Sequence, residues 1–247
     1  MSRVSMLVVG VTVIFCLVSL SQTAPAPQSC EMLLKPLEMK TVDPLIGKWS
    51  GIASSSSQAG ARTTVKITVE NIKAVISAGT HPNMIKDTIY MKTLGGGCSS
   101  YSINMTLEDN KLSWFFIVPA SAVFLPTCPD CLTIYQTIDI DGKNYKSLDL
   151  FSQRRQLTPD EMFQFKTQVE CLGLPSPYSI TSEKEHCPDS TEISSGMEET
   201  VRQVMTIMET DVAKVLLGIT DFIIEKAEEG GKDNGKVFLE SLMNWIS

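Results

Sequence analysis

The sequence predicts a mainly β fold, in which about eight antiparallel strands form a barrel or a sandwich, followed by one flanking α-helix and an extra helical extension at the C-terminus. Three observations carry this. From Gly47 to about Ser152 the chain is rich in Val, Ile, Thr, Tyr and Phe and is broken by turn residues at short intervals. Thr158-Pro159-Asp160-Glu161 then opens a capped helix. Beyond residue 195, apolar residues recur at helical rather than strand spacing.

The strand candidates follow in order. They are Gly47 to about Ser55, Val65–Val69, Ile72–Ser77, Ile85–Thr93, Cys98–Leu107, Lys111–Val118, Ala120–Leu125, Cys131–Ile140 and Lys143–Ser152. Gly79-Thr80-His81-Pro82, Gly95-Gly96-Gly97, Glu108-Asp109-Asn110 and Pro126–Asp130 separate them, and Asp141-Gly142 between two alternating runs is a strong hairpin signal. Strands joined by such short turns must be antiparallel. A barrel removes the exposed edges that a sandwich leaves.

Alternation assigns faces. Leu132, Ile134, Ile138 and Ile140 share one side, with Gln136 among them. Tyr101, Ile103 and Met105 share a side opposite Ser102 and Asn104, and Leu148 and Leu150 lie opposite Ser147 and Asp149. Trp114 and Phe116 alternate with Phe115 and Ile117, so both faces are apolar there, and the second pair suits the underside of a covering helix. Periodicity does not separate side chains that fill a core from side chains that line a cavity.

Residues 1–23 have the layout of a secretory signal peptide: Arg3, an apolar run from Met6 to Leu20, then small and polar residues before Pro25. That run is shorter than the roughly 20 residues that span a bilayer. Cleavage near Thr23 or Ala24 removes Arg3 and takes the net charge from -7 to -8. A surface of that sign repels phosphate backbones, so no nucleic-acid partner is expected. Six cysteines remain, an even number that suggests three disulfides in a secreted chain. Cys128-Pro129-Asp130-Cys131 also has the spacing of a redox motif or half a zinc site. A redox pair wants a helix after it, whereas a strand-like run follows, and no second short-spaced pair completes a metal site. No metal or cofactor is expected. Asn104-Met105-Thr106 is the one N-glycosylation acceptor, which places Asn104 in solvent.

The helix after the strands has apolar positions Met162, Phe163, Phe165, Val169 and Leu172 and ends at Gly173 and Pro175. In residues 190–247, Ser195-Gly196-Met197-Glu198 fits a capping box before an amphipathic helix over about 197–228, and a second short helix covers about 236–246. Docking on the strands as extra core, self-association, or contact with a lipid surface through 197–246 all suit an apolar stripe. The excess of acids on its polar face weakens the last.

These features resemble the lipocalin family. Gly47-Lys48-Trp49 matches the Gly-x-Trp signature of its first strand, and the order of leader, signature, about eight strands and one helix opened by Leu157-Thr158-Pro159-Asp160-Glu161 strengthens the match. The chain is more similar still to the branch that holds α1-acid glycoprotein (orosomucoid), apolipoprotein M-like and toxin-binding lipocalins. Cys30-Glu31, Ile52-Ala53-Ser54, Asp87-Thr88-Ile89, Cys98, Asp141-Gly142-Lys143-Asn144 and Cys187-Pro188 carry that similarity over roughly residues 28 to 189.

The resemblance implies an eight-stranded antiparallel up-and-down lipocalin barrel with a flanking α-helix. It divides the chain into a signal peptide (1–23), a barrel domain with its helix (24–189) and the extension (190–247). It pairs Cys30 with Cys171 and Cys98 with Cys187, leaving Cys128 with Cys131. It places Trp49 across the closed end, with a stacking Arg where an ungapped match has Gln153 and where Arg154 or Arg155 follows. The family's Thr-Asp-Tyr turn keeps Asp130 but has Cys131 at its aromatic position. The implied function is secretion into extracellular fluid and carriage of a small ligand: a sterol, a retinoid, a lipid, a drug-like amine or a toxin. Tyr101, Ile103, Met105, Trp114, Phe116, Ile134 and Leu148 are the candidate wall. Catalysis is not expected, because all six cysteines have partners and the two histidines, His81 and His186, sit beside a proline turn and a cysteine. An alternative role is assembly through the C-terminal helices.

Overall fold

The computed structural model describes residues 29–58, 60–93, 97–115, 118–140, 142–180 and 185–189. The expected leader, Phe116, Ile117, Asp141 and the two helices expected within 190–247 lie outside the described residues.

A short helix α1 (Cys30–Leu34) and a 3-10 turn (Asp43–Leu45) lead into β1 (Gly47–Ser56). Then come α2 (Ala61–Thr68), β2 (Val69–Ala78), β3 (Met84–Thr93), β4 (Cys98–Glu108), β5 (Lys111–Phe115), β6 (Pro119–Leu125), β7 (Cys131–Ile140) and β8 (Lys143–Ser152). Helix α3 (Pro159–Cys171) and a two-residue strand β9 (Tyr178–Ser179) complete the described elements. Neighbouring strands pair in chain order, all antiparallel. The sheet closes because β1 has partners on both edges. Gly47 to Ser50 pair with Ile76 to Lys73 of β2, and Ser50 to Ser56 pair with Ser152 to Ser147 of β8, across a bulge between Gly51 and Ala53. The result is an eight-stranded up-and-down barrel, and closure leaves no long open edge.

The turns explain the register. Asp109 and Asn110 both have positive φ, 48° and 63°, in a two-residue hairpin that pairs Glu108 with Lys111. Such hairpins need the left-handed region at both central positions, and Asp and Asn tolerate it better than most residues.

One expected strand is a helix. Val65–Val69 has β-branched composition, yet Ala61–Thr68 is helical and β2 begins only at Val69. Gly60, at φ +81°, is the N-cap residue of this helix. The pairing of β2 with β3 reaches no further than Val69 opposite Thr93, so the earlier residues have no ladder to join. Arg62 then pins the helix, donating from Nη2 to the carbonyls of Ser176 and Pro177, both at 3.0 Å. Composition describes a preference, and an available partner edge decides whether it is realised.

At one end of the barrel Trp49, 3% exposed, packs with Val42, Leu45, Ile76, Ile85, Leu107, Leu112 and Phe124. Its indole N–H donates to the Leu45 carbonyl at 2.8 Å. Arg154, one of the two arginines that the resemblance offered for stacking on it, is engaged elsewhere. That guanidinium binds Asp130 and, at 2.8 Å, Glu161, while the Gln153 amide lies beside Gly47.

Helix α3 begins with a full capping box: Thr158 Oγ1 accepts from the Glu161 N–H, and the Glu161 carboxylate accepts from the Thr158 N–H. It packs Phe165 and Val169 on the outer face of the barrel against Ile52, Leu125, Leu148 and Leu150. Phe163, expected on the buried stripe, is 71% exposed. The buried position goes instead to Gln168, whose amide nitrogen donates to the carbonyls of Leu33 (3.0 Å) and Pro126 (2.8 Å). Phe115, expected beneath a helix, is 72% exposed because α3 covers a different wall.

Three disulfides brace this frame: Cys30–Cys171 and Cys98–Cys187 fasten the segments that flank the barrel, and Cys128–Cys131 closes the turn before β7. The last joins both sulfurs of the Cys-x-x-Cys motif. The segment around Asp189 is also clamped, with its carboxylate bound by Lys48 and Lys73 and its carbonyl accepting from the Tyr90 hydroxyl at 3.1 Å.

Candidate ligand cavity

The barrel is hollow above the Trp49 cluster. It encloses a cavity of about 410 Å³. Ile76, Ile85, Leu112 and Phe124 belong both to the core cluster and to the cavity lining, so packed core passes directly into empty space. Ile72 of β2, Ile89 and Met91 of β3, Tyr101, Ile103 and Met105 of β4, and Trp114 of β5 form one side. Ala120 and Ala122 of β6, Ile134 and Ile138 of β7, Phe151 of β8 and Ile180 beyond β9 form the other. The small side chains of β6 matter here, because larger residues at Ala120 and Ala122 would reach into the hollow.

Of the seven sequence-derived wall positions, the fold brings Tyr101, Ile103, Met105, Trp114 and Ile134 to the cavity. Phe116 lies outside the described residues. Leu148 is not on the cavity wall. It is 0% exposed and packs with Phe165 and Val169 on the outer face. Alternation on β8 was legible, but its sense was reversed. The apolar positions of that strand face the helix, and the interior receives Asp149 and Phe151 instead.

Three polar residues of the lining are not among those seven positions: Asp87, Gln136 and Asp149. A signal existed for each. Asp87 has the parity of Ile85 and Ile89, Gln136 that of Ile134 and Ile138, and Asp149 that of Phe151. Asp149 is richly hydrogen-bonded. Its carboxylate accepts from Ser54 Oγ at 2.6 Å, Gln136 Nε2 at 2.8 Å and Ser147 Oγ at 2.9 Å. Burial raises its pKa, and those three donors work against the rise. Asp87 is different. It lies in register between Ile76 of β2 and Ile103 of β4, and burial pushes its carboxyl up to about 7. Burial also raises the Tyr101 phenol, with smaller contributions from Asp87 and Asp149.

Asn104, the glycosylation acceptor, is exposed on β4 and lies opposite Lys86 of β3.

No family model matches the chain. Over 148 residues it is 27% identical to saxitoxin and tetrodotoxin-binding protein 1 of Takifugu pardalis, a match that takes in 53% of this chain and 37% of that relative's length. Among solved structures, the siderocalin Ex-FABP, described as functioning through dual ligand specificities, superposes with a TM-score of 0.51 at 16% identity, over 59% of this chain and 99% of that one. A dog lipocalin allergen superposes with a TM-score of 0.48 at 18% identity, over 59% of this chain and 98% of that one.

Proposed function

We propose that this chain, which has the lipocalin fold, is a secreted carrier that binds one small apolar or amphipathic ligand inside the barrel. The observation behind this reading is the cavity of about 410 Å³ within a closed wall of mostly apolar side chains. Eight strands make a barrel wide enough for one small ligand. Burying ~300 Å² of apolar ligand surface at ~25 cal/mol/Å² gives a gross ~7–8 kcal/mol. Association costs subtract from that, which leaves an affinity around micromolar.

The match to the toxin-binding protein of Takifugu pardalis supports a small-molecule ligand here. Three disulfides suit an oxidising compartment. On this reading residues 1–23 are a leader, 24–189 the binding domain carrying a glycan at Asn104, and 190–247 an appended segment. A binder is favoured over an enzyme because no cysteine among the described residues is a free thiol, and neither histidine lines the cavity.

The test is titration of the full chain with N-phenyl-1-naphthylamine, an uncharged apolar fluorophore. One saturable site with a dissociation constant near micromolar is expected. Ala122→Trp, which fills the hollow, should weaken binding at least tenfold while the far-UV spectrum stays that of a folded β protein. Absence of saturable binding, or binding indifferent to Ala122→Trp, overturns the reading.

A further inference from the structure

Asn104 and Phe115 belong to one outer patch of the barrel. Thr106 of β4 pairs with Ser113 of β5, and Asn104 and Phe115 each lie two residues further on, in matching directions along this antiparallel pair. Two residues is one full repeat of a strand, so both side chains leave the face that Thr106 and Ser113 leave. That face is the outer one, because Ile103, Met105 and Trp114, of the opposite parity, line the cavity. Asn104 is exposed, and Phe115 is 72% exposed. Pro119, paired with Phe115 across to β6, is exposed as well.

An exposed phenylalanine on its own is ordinary. Its surroundings mark this one. Asn104-Met105-Thr106 is an acceptor for an N-linked glycan, whose first sugar is N-acetylglucosamine. Beside Phe115 the outer surface continues as a row of small hydroxyl side chains: Thr106, Ser113, Ser121 and Thr137 are paired in turn across β4 to β7. Opposed side chains on one face of adjacent strands stand about 5 Å apart, roughly the width of a sugar ring. A sugar on Asn104 therefore lies over a neighbour on β3 or on β5. On β3 that neighbour is Lys86, exposed, with an ammonium group that water serves best. On β5 it is Phe115. N-Acetylglucosamine has a face of C–H bonds and a rim of hydroxyl and amide groups. The C–H face, slightly positive, suits the negative face of an aromatic ring, and laying one on the other takes apolar surface out of water. The polar rim is left to the hydroxyl row and to solvent.

Granted the glycan at Asn104, which belongs to the reading above, we infer that Phe115 is the platform on which its first N-acetylglucosamine packs, with Pro119 extending the apolar floor. The contact sets the direction of the glycan, which runs from Asn104 over β5 and β6 rather than over β3. It also covers an apolar patch that the bare chain leaves in water. A surface contact of this kind changes what the patch meets far more than it changes the unfolding midpoint.

The test uses the full chain secreted from eukaryotic cells that are fed isotope-labelled glucose and leave their glycans in the high-mannose form. Endoglycosidase H then trims the glycan to a single N-acetylglucosamine. Nuclear Overhauser contacts between that sugar and the Phe115 ring are expected, with an upfield ring-current shift of the sugar protons that disappears in Phe115→Ser. The contacts are read in the wild type and need no variant. On native protein with the untrimmed glycan, peptide N-glycosidase F is expected to release the glycan at least threefold faster from Phe115→Ser than from wild type, and Phe115→Tyr is expected to restore the wild-type rate. Sugar protons without contacts to Phe115, or equal release from wild type and Phe115→Ser, overturn the platform and leave both the glycan and the carrier reading standing. An unmodified Asn104 in the secreted protein overturns the platform together with the glycan, while titration with N-phenyl-1-naphthylamine still judges the carrier.

Discussion

Leu148 and Asp149 are neighbours in the chain and serve opposite sides of one wall: Leu148 is sealed beneath α3 with Phe165, and Asp149 opens onto the cavity. Leu148→Ala should therefore cost about 2–4 kcal/mol of stability, the usual range for a core leucine whose site collapses only partly. Denaturant unfolding measures the loss. Affinity of the folded variant for N-phenyl-1-naphthylamine should stay within about twofold of wild type, since the lost methyl groups lie outside the cavity.

The Asp87 carboxyl makes stability depend on pH in an unusual direction. In the folded chain it holds its proton up to about 7, whereas in the unfolded chain it releases it in the ordinary carboxylate range. Between about pH 4 and 7 the native state thus binds more protons, and this group's contribution becomes less favourable as pH rises. Asp87→Asn should raise stability by about 2 kcal/mol at pH 8 and change it little at pH 4. Glu161 and Asp189 run the other way. Arg154 holds the first down to about 2, and Lys48 and Lys73 hold the second there, so their contribution is present at neutral pH and lost on strong acidification. Comparing wild type with Asp87→Asn across pH isolates the cavity carboxyl from these surface pairs.

The disulfides should differ in weight. Cys30–Cys171 spans 141 residues and Cys98–Cys187 spans 89, while Cys128–Cys131 spans 3. Chain entropy assigns roughly 4–5 kcal/mol to each long bridge and roughly 1–2 kcal/mol to the short one. Replacing Cys30 and Cys171 together by Ser should lower the unfolding midpoint far more than replacing Cys128 and Cys131. Thermal unfolding of the two double variants gives the ranking.

Trp49→Phe keeps an aromatic ring at the closed end but strands the Leu45 carbonyl that the indole N–H now satisfies. A loss of about 1–3 kcal/mol is expected from the unpaired acceptor and the smaller ring together, read by urea unfolding.

Exposure of Asn104 on β4 predicts a glycan on protein secreted from eukaryotic cells. Asn104→Gln should remove one glycan mass from the secreted protein without altering its unfolding midpoint by more than a degree or two.

Much of the architecture was legible from local chemistry. Turn residues such as Asp109-Asn110 and the Thr158-Pro159-Asp160-Glu161 start act within a few residues of themselves, so the strand order, the hairpins and the capped helix could be read along the chain. Two-residue alternation likewise sorted Tyr101, Ile103, Met105, Trp114 and Ile134 onto one side of their strands. What lay beyond reach was the meaning of each side, because that depends on what packs there. Leu148 looked like wall until α3 proved to cover its face, and Val65 looked like strand until no partner edge was there to receive it. Asp87 shows the same limit most sharply. A carboxylate in a β-rich run reads as solvent-facing, and its burial arises only when the sheet closes and its isoleucine neighbours shut out water. Short-range torsional preferences are written residue by residue, whereas solvation and charge pairing belong to the assembled surfaces on both sides of a strand.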